Sequence, residues 1–362
     1  MAECEHHEIC SKVIRNWAST SWFPTRLLDV RTGLADSGCK LYLLIETAKE
    51  ALDDHRYATL SHKWGSDQQP AYRTVKHNYQ ARTTDGIPRD ELPPCFQDAI
   101  DVAQKLNIPY IWIDSLCIIQ DDEVDRPKEA GSMDRVYSNS FLNLSATAST
   151  SSKDHLPSIT RKEHLQEPRF VGTAWTDLFA GVYQIYDSHF WTDRVTSTRL
   201  ASRGWIFQER ALAPLVLHFG FDRVLWECAE SERAEEFLIK VPRLFNHTRH
   251  RDFKWSLNND SSRDIDGLHG FNTSNPDQVR ARHRVLDQQW TVAIDNNTRC
   301  ELTRPADKPT AISGVARTLS SRFGDKYIAG LWESNIIGGL CWRVSNMRRT
   351  TQNLIPSGLY AR

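Results

Sequence analysis

Three stretches of this sequence carry the side chains that could do chemistry. In IPYIWIDSLCIIQ (108–120), Asp114 closes the apolar run Tyr110, Ile111, Trp112 and Ile113, with Ser115 and Cys117 directly behind it. A carboxylate that follows a buried strand sits at the carboxyl edge of its sheet, where open α/β sheets collect ligands. Its plainer role would be to cap the next segment or to bind backbone amides. In RGWIFQERAL (203–212), helical spacing puts Trp205, Glu209 and Leu212 on one face, which makes Glu209 a candidate catalytic carboxylate. The competing roles are an ion pair with Arg203 or Arg210, or a solvated place on a helix surface. In YATLSHKWG (57–65), Ser61 and His62 are neighbours. Adjacent residues of a strand point to opposite faces, so they form no nucleophile–base pair while the chain is extended. Cys117 has no histidine placed to take its proton, which favours a buried, inert thiol. Trp64, Trp112 and Trp205 read most simply as core.

The elements that must position these groups follow from the flanking pattern. Pro93 and Pro94 open a segment with Phe96, Ala99, Ile100, Ala103 and Leu106 at helical spacing, closed by Asn107 and Pro109. That helix feeds the Tyr110 strand, and YATLS supplies an earlier one. Strand, crossover helix and strand then form a right-handed parallel unit. A helix bearing Ala130, Met133, Val136 and Tyr137 and a strand in FLNLSAT repeat the unit. Ser202 is placed to cap the RGWIFQERAL helix and Pro214 to end it. LVLHF and RVLWE flank Gly220, Phe221 and Asp222 as a hairpin. Earlier, LYLLIE (41–46) is strand-like, and the polar stretch 66–92 reads as a surface connection. Residues 149–168 read as an excursion. Thr310 to Leu319 suggests a helix, and Tyr327 to Trp332 a buried segment containing glycine. The expected architecture is α/β: a mostly parallel sheet flanked by helices, of the flavodoxin-like kind, with a smaller C-terminal α+β region. Expected divisions are an N-terminal segment (1–50), a main domain (51–230), a polar linker or insertion (231–289) and a C-terminal region (290–362) packed on the main domain.

Bulk properties exclude several classes. The 362 residues suffice for a large core without covalent staples, and 45 Lys and Arg against 46 Asp and Glu give no global field for nucleic acid or an anionic membrane. No apolar run approaches ~18 residues and the N-terminus lacks a signal-peptide pattern, which predicts a cytoplasmic protein without a membrane span. The eight cysteines are scattered without a C-x-x-C pair, as expected of free thiols in a reducing compartment. Cys4, His6, His7 and Cys10 offer four metal ligands, but seven residues fold poorly around one tetrahedral ion. A frayed polar tail, with no metal and no cofactor, is the expectation. There is no G-x-G-x-x-G, P-loop, H-E-x-x-H or G-x-S-x-G.

YATLSHKWG, IPYIWIDSLCIIQDD and RGWIFQERAL, in that order, resemble the fungal heterokaryon incompatibility (HET) domain. MDRVYSNSFLNLSA, VLHFGFDRVLWEC, LTRPADKPTAISGVA and YIAGLWE look like its usual companions. The resemblance implies a fungal intracellular protein of non-self recognition and programmed cell death. It implies as partners further copies of the chain or other incompatibility proteins. It also implies a shortened C-terminus, since relatives continue into a Trp-rich, Ser-rich segment. The HET domain is similar in turn to TIR domains, and the four-residue step from Trp205 to Glu209 matches the Trp and catalytic Glu of NAD-cleaving TIR proteins. On that likeness Glu209 lies beside the nicotinamide ribose of NAD as substrate, and Asp114 holds a ribose hydroxyl or shapes the pocket. Ser61, Trp64, Ser115, Cys117, Arg203 and Trp205 are the remaining substrate-binding candidates, Trp205 by stacking on a base or nicotinamide ring. Two rival functions are a non-catalytic, self-associating signalling module and an enzyme of secondary metabolism that reuses the scaffold. His62 and Lys63 replace the family's more usual aromatic and small residues, which suits the last of these.

Overall fold

The computed structural model describes residues 22–34, 40–65, 72–157, 169–173, 181–185, 189–235, 276–302 and 305–341, with isolated positions including 4, 6–8, 10, 11, 187, 253, 254 and 257. Most of the polar stretch after 235 and the chain end after 341, including the expected shortened C-terminus, lie outside the described residues.

The main sheet is built from β1 (Arg26–Leu34), β2 (Lys40–Glu46), β3 (Tyr57–Ser61), β4 (Ile87–Pro88), β5 (Tyr110–Trp112), β6 (Leu142–Ser145), β9 (Val216–Phe219), β10 (Val224–Glu227) and β11 (Glu232–Ala234). β7 (Arg169–Thr173) and β8 (Gly181–Ile185) pair as a separate antiparallel ribbon. The nine strands run in the order β11-β10-β9-β6-β3-β5-β1-β2-β4. β3 pairs parallel with both β5 and β6, and β6 parallel with β9. The strands outside this central set are antiparallel. The expected α/β class is thus borne out, with parallel pairing concentrated at the centre.

Helix placement explains where a site can form. α1 (Lys76–Thr84) precedes α2 (Pro94–Lys105), which links β3 to β5. α2 buries Phe96, Ala99, Ile100 and Ala103 against Ala58 and Leu60 of β3. After β5 come α3 (Asp114–Cys117), α4 (Asp125–Gly131) and α5 (Met133–Ser138), which lead to β6. α6 (Gly204–Leu212) then leads to β9. α5 and α6 cover the other face, where Met133, Val136, Tyr137, Phe207 and Ala211 pack with Tyr57, Tyr110 and Trp112. From β3 the chain therefore winds to one side into β5, and from β5 it crosses back over the other face into β6, on the far side of β3. Between β3 and β6 the strand order reverses, and at such a reversal the carboxyl ends of the strands diverge and leave a crevice.

The C-terminal part contributes α7 (Pro276–Arg299), α8 (Lys308–Phe323), the short hairpin β12 (Tyr327–Ile328) and β13 (Leu331–Trp332), and α9 (Ile336–Leu340). Ala293, Ile294, Ile312, Val315, Ala316 and Leu319 join the same apolar cluster as Phe207 and Ala211, so this region closes over the face that carries α6. Gly314 lets α8 come close. A Cβ there would stand 2.2 Å from Cβ of Asp134 and 2.6 Å from Oε1 of Gln208. The Gly314 amide instead donates to Gln208 Oε1 at 2.8 Å, fixing α6 from its outer side.

Several local expectations are corrected. The 66–92 stretch is more than a connection, since 76–84 form α1, a mostly polar helix whose buried side chain is Arg82 and whose sequence therefore carries no apolar period. Arg82 of that helix is buried and donates to Thr74 Oγ1 at 2.9 Å. Ser202 does not cap α6. Arg203 holds the N-cap position, and the Ser202 hydroxyl donates to the Arg199 carbonyl at 2.8 Å. Residues 149–157 pack rather than wander, with Ser149, Ser152 and Leu156 buried. The N-terminal tail is also packed, because Cys4 and Cys10 are buried against Cys228 in the α2-side cluster.

Candidate functional site

The carboxyl ends of β3 and β6 lie side by side, with Thr59 opposite Asn143 and Ser61 opposite Ser145. These alternate positions face α5 and α6, and all four are polar and buried. Burying polar groups costs free energy unless they are hydrogen-bonded, and here they bond one another. Asn143 Oδ1 accepts from Thr59 Oγ1 at 3.1 Å, and Asn143 Nδ2 donates to Ser61 Oγ at 3.0 Å, which leaves the one Ser61 proton for another acceptor.

Glu209 of α6 reaches into this polar strip. Its Oε2 accepts a hydrogen bond from Ser61 Oγ at 2.5 Å, across 148 residues of sequence. Glu209 is only 4% exposed, and among the described residues no cation stands within ion-pair distance of it. Burial raises its pKa from the usual carboxylate range to about 7. The more distant Arg203 guanidinium and the hydroxyls of Ser61 and Tyr137 hold it down, and the Asp114 charge pushes it up. Burial likewise drives the Tyr137 hydroxyl well above its ordinary value, assisted by the charges of Glu209 and Asp114. The result is a carboxyl group balanced between its two protonation states near neutrality.

Asp114 stands at the end of β5, as its place after the apolar run predicts. The Trp64 indole donates to both of its oxygens, at 3.1 and 2.9 Å, and the Ser115 amide donates to Oδ1 at 2.7 Å. The backbone-binding role is therefore real, but it leaves the side chain 17% exposed and facing the block that carries Trp64. His62 Nδ1 lies 3.7 Å from Asp114 Oδ1. The ring is buried edge-on against Phe96 at 4.9 Å between centroids, on the face opposite Ser61, as strand alternation requires. Burial lowers its pKa to about 4, with Asp114 opposing and Arg203 reinforcing the shift. Arg203 donates to the His62 carbonyl, which ties the start of α6 to the end of β3.

Ser115 Oγ is buried here with no hydrogen-bond partner among the described residues. Leaving a buried donor or acceptor unpaired costs about 1–3 kcal/mol, and such a group at a strand reversal is suited to a polar ligand.

Of the sequence candidates, Ser61, Glu209, Asp114, Trp64, Ser115 and Arg203 converge on this strand-end region. Cys117 packs into the apolar cluster, and burial pushes its thiol up to about 12. Trp205 is partly buried at the edge of that cluster, with no polar contact to the Glu209 carboxylate. Tyr137 and Asn143 complete the arrangement without having been singled out, and His62, weighed in the sequence as a base for Ser61, stands beside Asp114 instead. Asn143 left a trace in the sequence, as a polar residue at the centre of the otherwise apolar FLNLS.

The family model described as Heterokaryon incompatibility protein (HET) matches residues 57–209, from the first residue of β3 to Glu209. The chain carries a HET domain. The match encloses the parallel strands β3, β5 and β6, their crossovers and every residue of the arrangement above. Neither a curated protein nor a solved structure matches the chain. No helix among the described residues is long and apolar enough to cross a membrane.

Proposed function

We propose that this HET domain hydrolyses the nicotinamide–ribose bond of NAD, and that the reaction serves a cell-death response in fungal non-self recognition, with self-association or other incompatibility proteins controlling it. The observation that carries the reading is Glu209, a buried carboxyl held by Ser61 at the strand reversal with its pKa near 7. In the reaction the C1′–N bond breaks, and its electron pair leaves with neutral nicotinamide. The positive charge develops on the ribose. An ionised Glu209 in a water-poor site opposes that charge far more strongly than it would in bulk water. Water then adds to C1′ and gives up a proton, for which the same carboxylate is a fitting acceptor, yielding ADP-ribose. Asp114, oriented by Trp64 and the Ser115 amide, has lone pairs left for ribose hydroxyls.

The test is nicotinamide release from NAD by the purified full chain, beside Glu209→Gln and Asp114→Asn. Glu209→Gln is expected to lower kcat by 100-fold or more, an effect of about 3 kcal/mol on the barrier. Asp114→Asn is expected to act mainly on KM. Activity should rise with pH through about 7, because the ionised form of Glu209 is the competent one. Turnover unaffected by Glu209→Gln removes this residue from the mechanism.

A second reading is a non-catalytic module in which the Ser61–Glu209 bond only ties α6 to β3. The near-complete burial of Glu209 favours it. Under that reading no preparation releases nicotinamide, while expression still kills cells.

A further inference from the structure

Cys4, His7 and Cys10 recur at every third position, and single helical turns join them, with the His7 amide donating to the Cys4 carbonyl at 3.2 Å and the Ser11 amide to the His7 carbonyl at 2.9 Å. In tight helical turns, side chains three apart stack on one side. The three donors therefore face the same way. They meet Cys228, the first residue after β10, which stands 221 positions from His7 in sequence. The ligand atoms of Cys4, His7, Cys10 and Cys228 all lie within 4.8 Å of one another, and Cys228 Sγ is 3.6 Å from His7 Nδ1. A tetrahedral zinc ion with Zn–S near ~2.3 Å and Zn–N near ~2.0 Å needs its donors roughly 3.5–3.8 Å apart. A small contraction of this cluster reaches that geometry.

We propose that Cys4, His7, Cys10 and Cys228 form a structural zinc site. The seven N-terminal residues supply three ligands, and the sheet supplies the fourth in place of His6. This resolves the difficulty of wrapping four ligands from so short a segment around one ion. Three further observations support it. The three cysteines are 2%, 3% and 1% exposed and none is in a disulfide. A disulfide would use two of these thiols, strand the third and give the histidine no part. The turn after β10 is also shaped for a thiolate: the Ser231 amide donates to Cys228 Sγ at 3.2 Å, and Glu230 Oε1 accepts from the Cys10 amide at 3.3 Å. Amide–sulfur bonds of this kind stabilise negative charge on a coordinating sulfur. Binding Zn²⁺ releases the three thiol protons to solvent and leaves a complex of net charge −1 with a neutral imidazole. Four protein ligands leave no open position, so the ion clamps the N-terminal segment to the β10–β11 end of the sheet rather than taking part in chemistry.

The test uses the full chain purified with reductant and without chelator. Elemental analysis should give about one zinc per chain, released by a thiol-blocking mercurial. Exchange with Co²⁺ alone should give the intense visible bands of a tetrahedral site and a sulfur-to-cobalt charge-transfer band. Cys228→Ser should lose the metal and lower the thermal midpoint. Because that variant could also unfold, His7→Cys serves as the fold-preserving partner. It should retain metal, and its charge-transfer band should grow by about one third as three thiolates become four. Absence of bound metal after equilibration of wild type with Zn²⁺, an unchanged charge-transfer band in His7→Cys, or a disulfide among these cysteines in the non-reduced protein would each overturn the proposal.

Discussion

Glu209 and Arg210 are neighbours on α6, yet they enter two buried environments of opposite kind. Arg210 donates to Glu227 Oε2 at 2.7 Å, and the same carboxylate has His218 Nε2 at 2.9 Å and Lys254 Nζ at 3.6 Å. All four side chains are nearly inaccessible. Glu227 is thus a buried carboxylate with two cations, Arg210 and Lys254, and a neutral imidazole beside it, whereas Glu209 is a buried carboxyl given only hydroxyl partners at close range. A charge that is desolvated and held by opposite charges is spent on holding its neighbours together. One that is desolvated and left with hydroxyls is costly to ionise, and that cost stores reactivity. One turn of helix presents both, and the difference separates the group that holds the fold from the group suited to chemistry.

The comparison can be broken most forcefully at Glu227. Replacing it with Gln strands Arg210 and Lys254 without their counter-charge and should cost roughly 3–5 kcal/mol in denaturant unfolding. Glu209→Gln should behave in the opposite sense. It removes a carboxylate whose ionisation the fold resists, so at pH 8 the variant should be more stable than wild type, by up to about 3 kcal/mol from a shift of this size. A loss comparable to that of Glu227→Gln would erase the distinction.

The pH profile sharpens it further. For Glu209 the folded pKa lies above the unfolded value, so its contribution is full below about 4.5 and is lost as pH rises through about 7. His62 and His218 have folded values lowered to about 4 by burial, so theirs is full above about 6.5 and is lost as pH falls towards 4. Between these limits the glutamate opposes the histidines. Stability should therefore rise with pH more steeply in Glu209→Gln than in wild type between about pH 4.5 and 6.5, as read from urea midpoints. The smallest effect belongs to Ser61→Ala, which deletes the donor to Glu209. It should cost about 1 kcal/mol at pH 8 and raise the pKa of the carboxyl further.

What the sequence revealed, and what it hid, has a physical pattern. YATLS, YIW and the LVLHF–RVLWE hairpin were legible because buried strands are short apolar runs bounded by turn residues, and each forms where its composition says. The crossover helix through Phe96 and Ile100 was legible from its period. β1 was not, because RLLDVRTGL breaks its apolar run with charges that are satisfied partly within the strand and partly by partners distant in sequence. Arg26 pairs with Asp125 at 2.5 Å, and Arg31 with Asp29 at 2.6 Å and Asp53 at 2.7 Å. The site divides in the same way. Asp114 was placed by its position after a strand and Glu209 by its step from Trp205. The bond from Glu209 to Ser61 spans 148 residues, and no local pattern announces it. The role of Tyr137 beside that carboxyl was hidden likewise, because its ring reads as ordinary helix core.

The most direct test of the central claim is the protonation state of Glu209 itself, followed as the carboxyl C=O band in the infrared difference between wild type and Glu209→Gln across a pH series. The account predicts a protonated-carboxyl band that persists below neutrality and fades through about pH 7. A Glu209 already fully ionised at pH 5 would contradict it, and with it the separation of Glu209 from the paired carboxylate at Glu227.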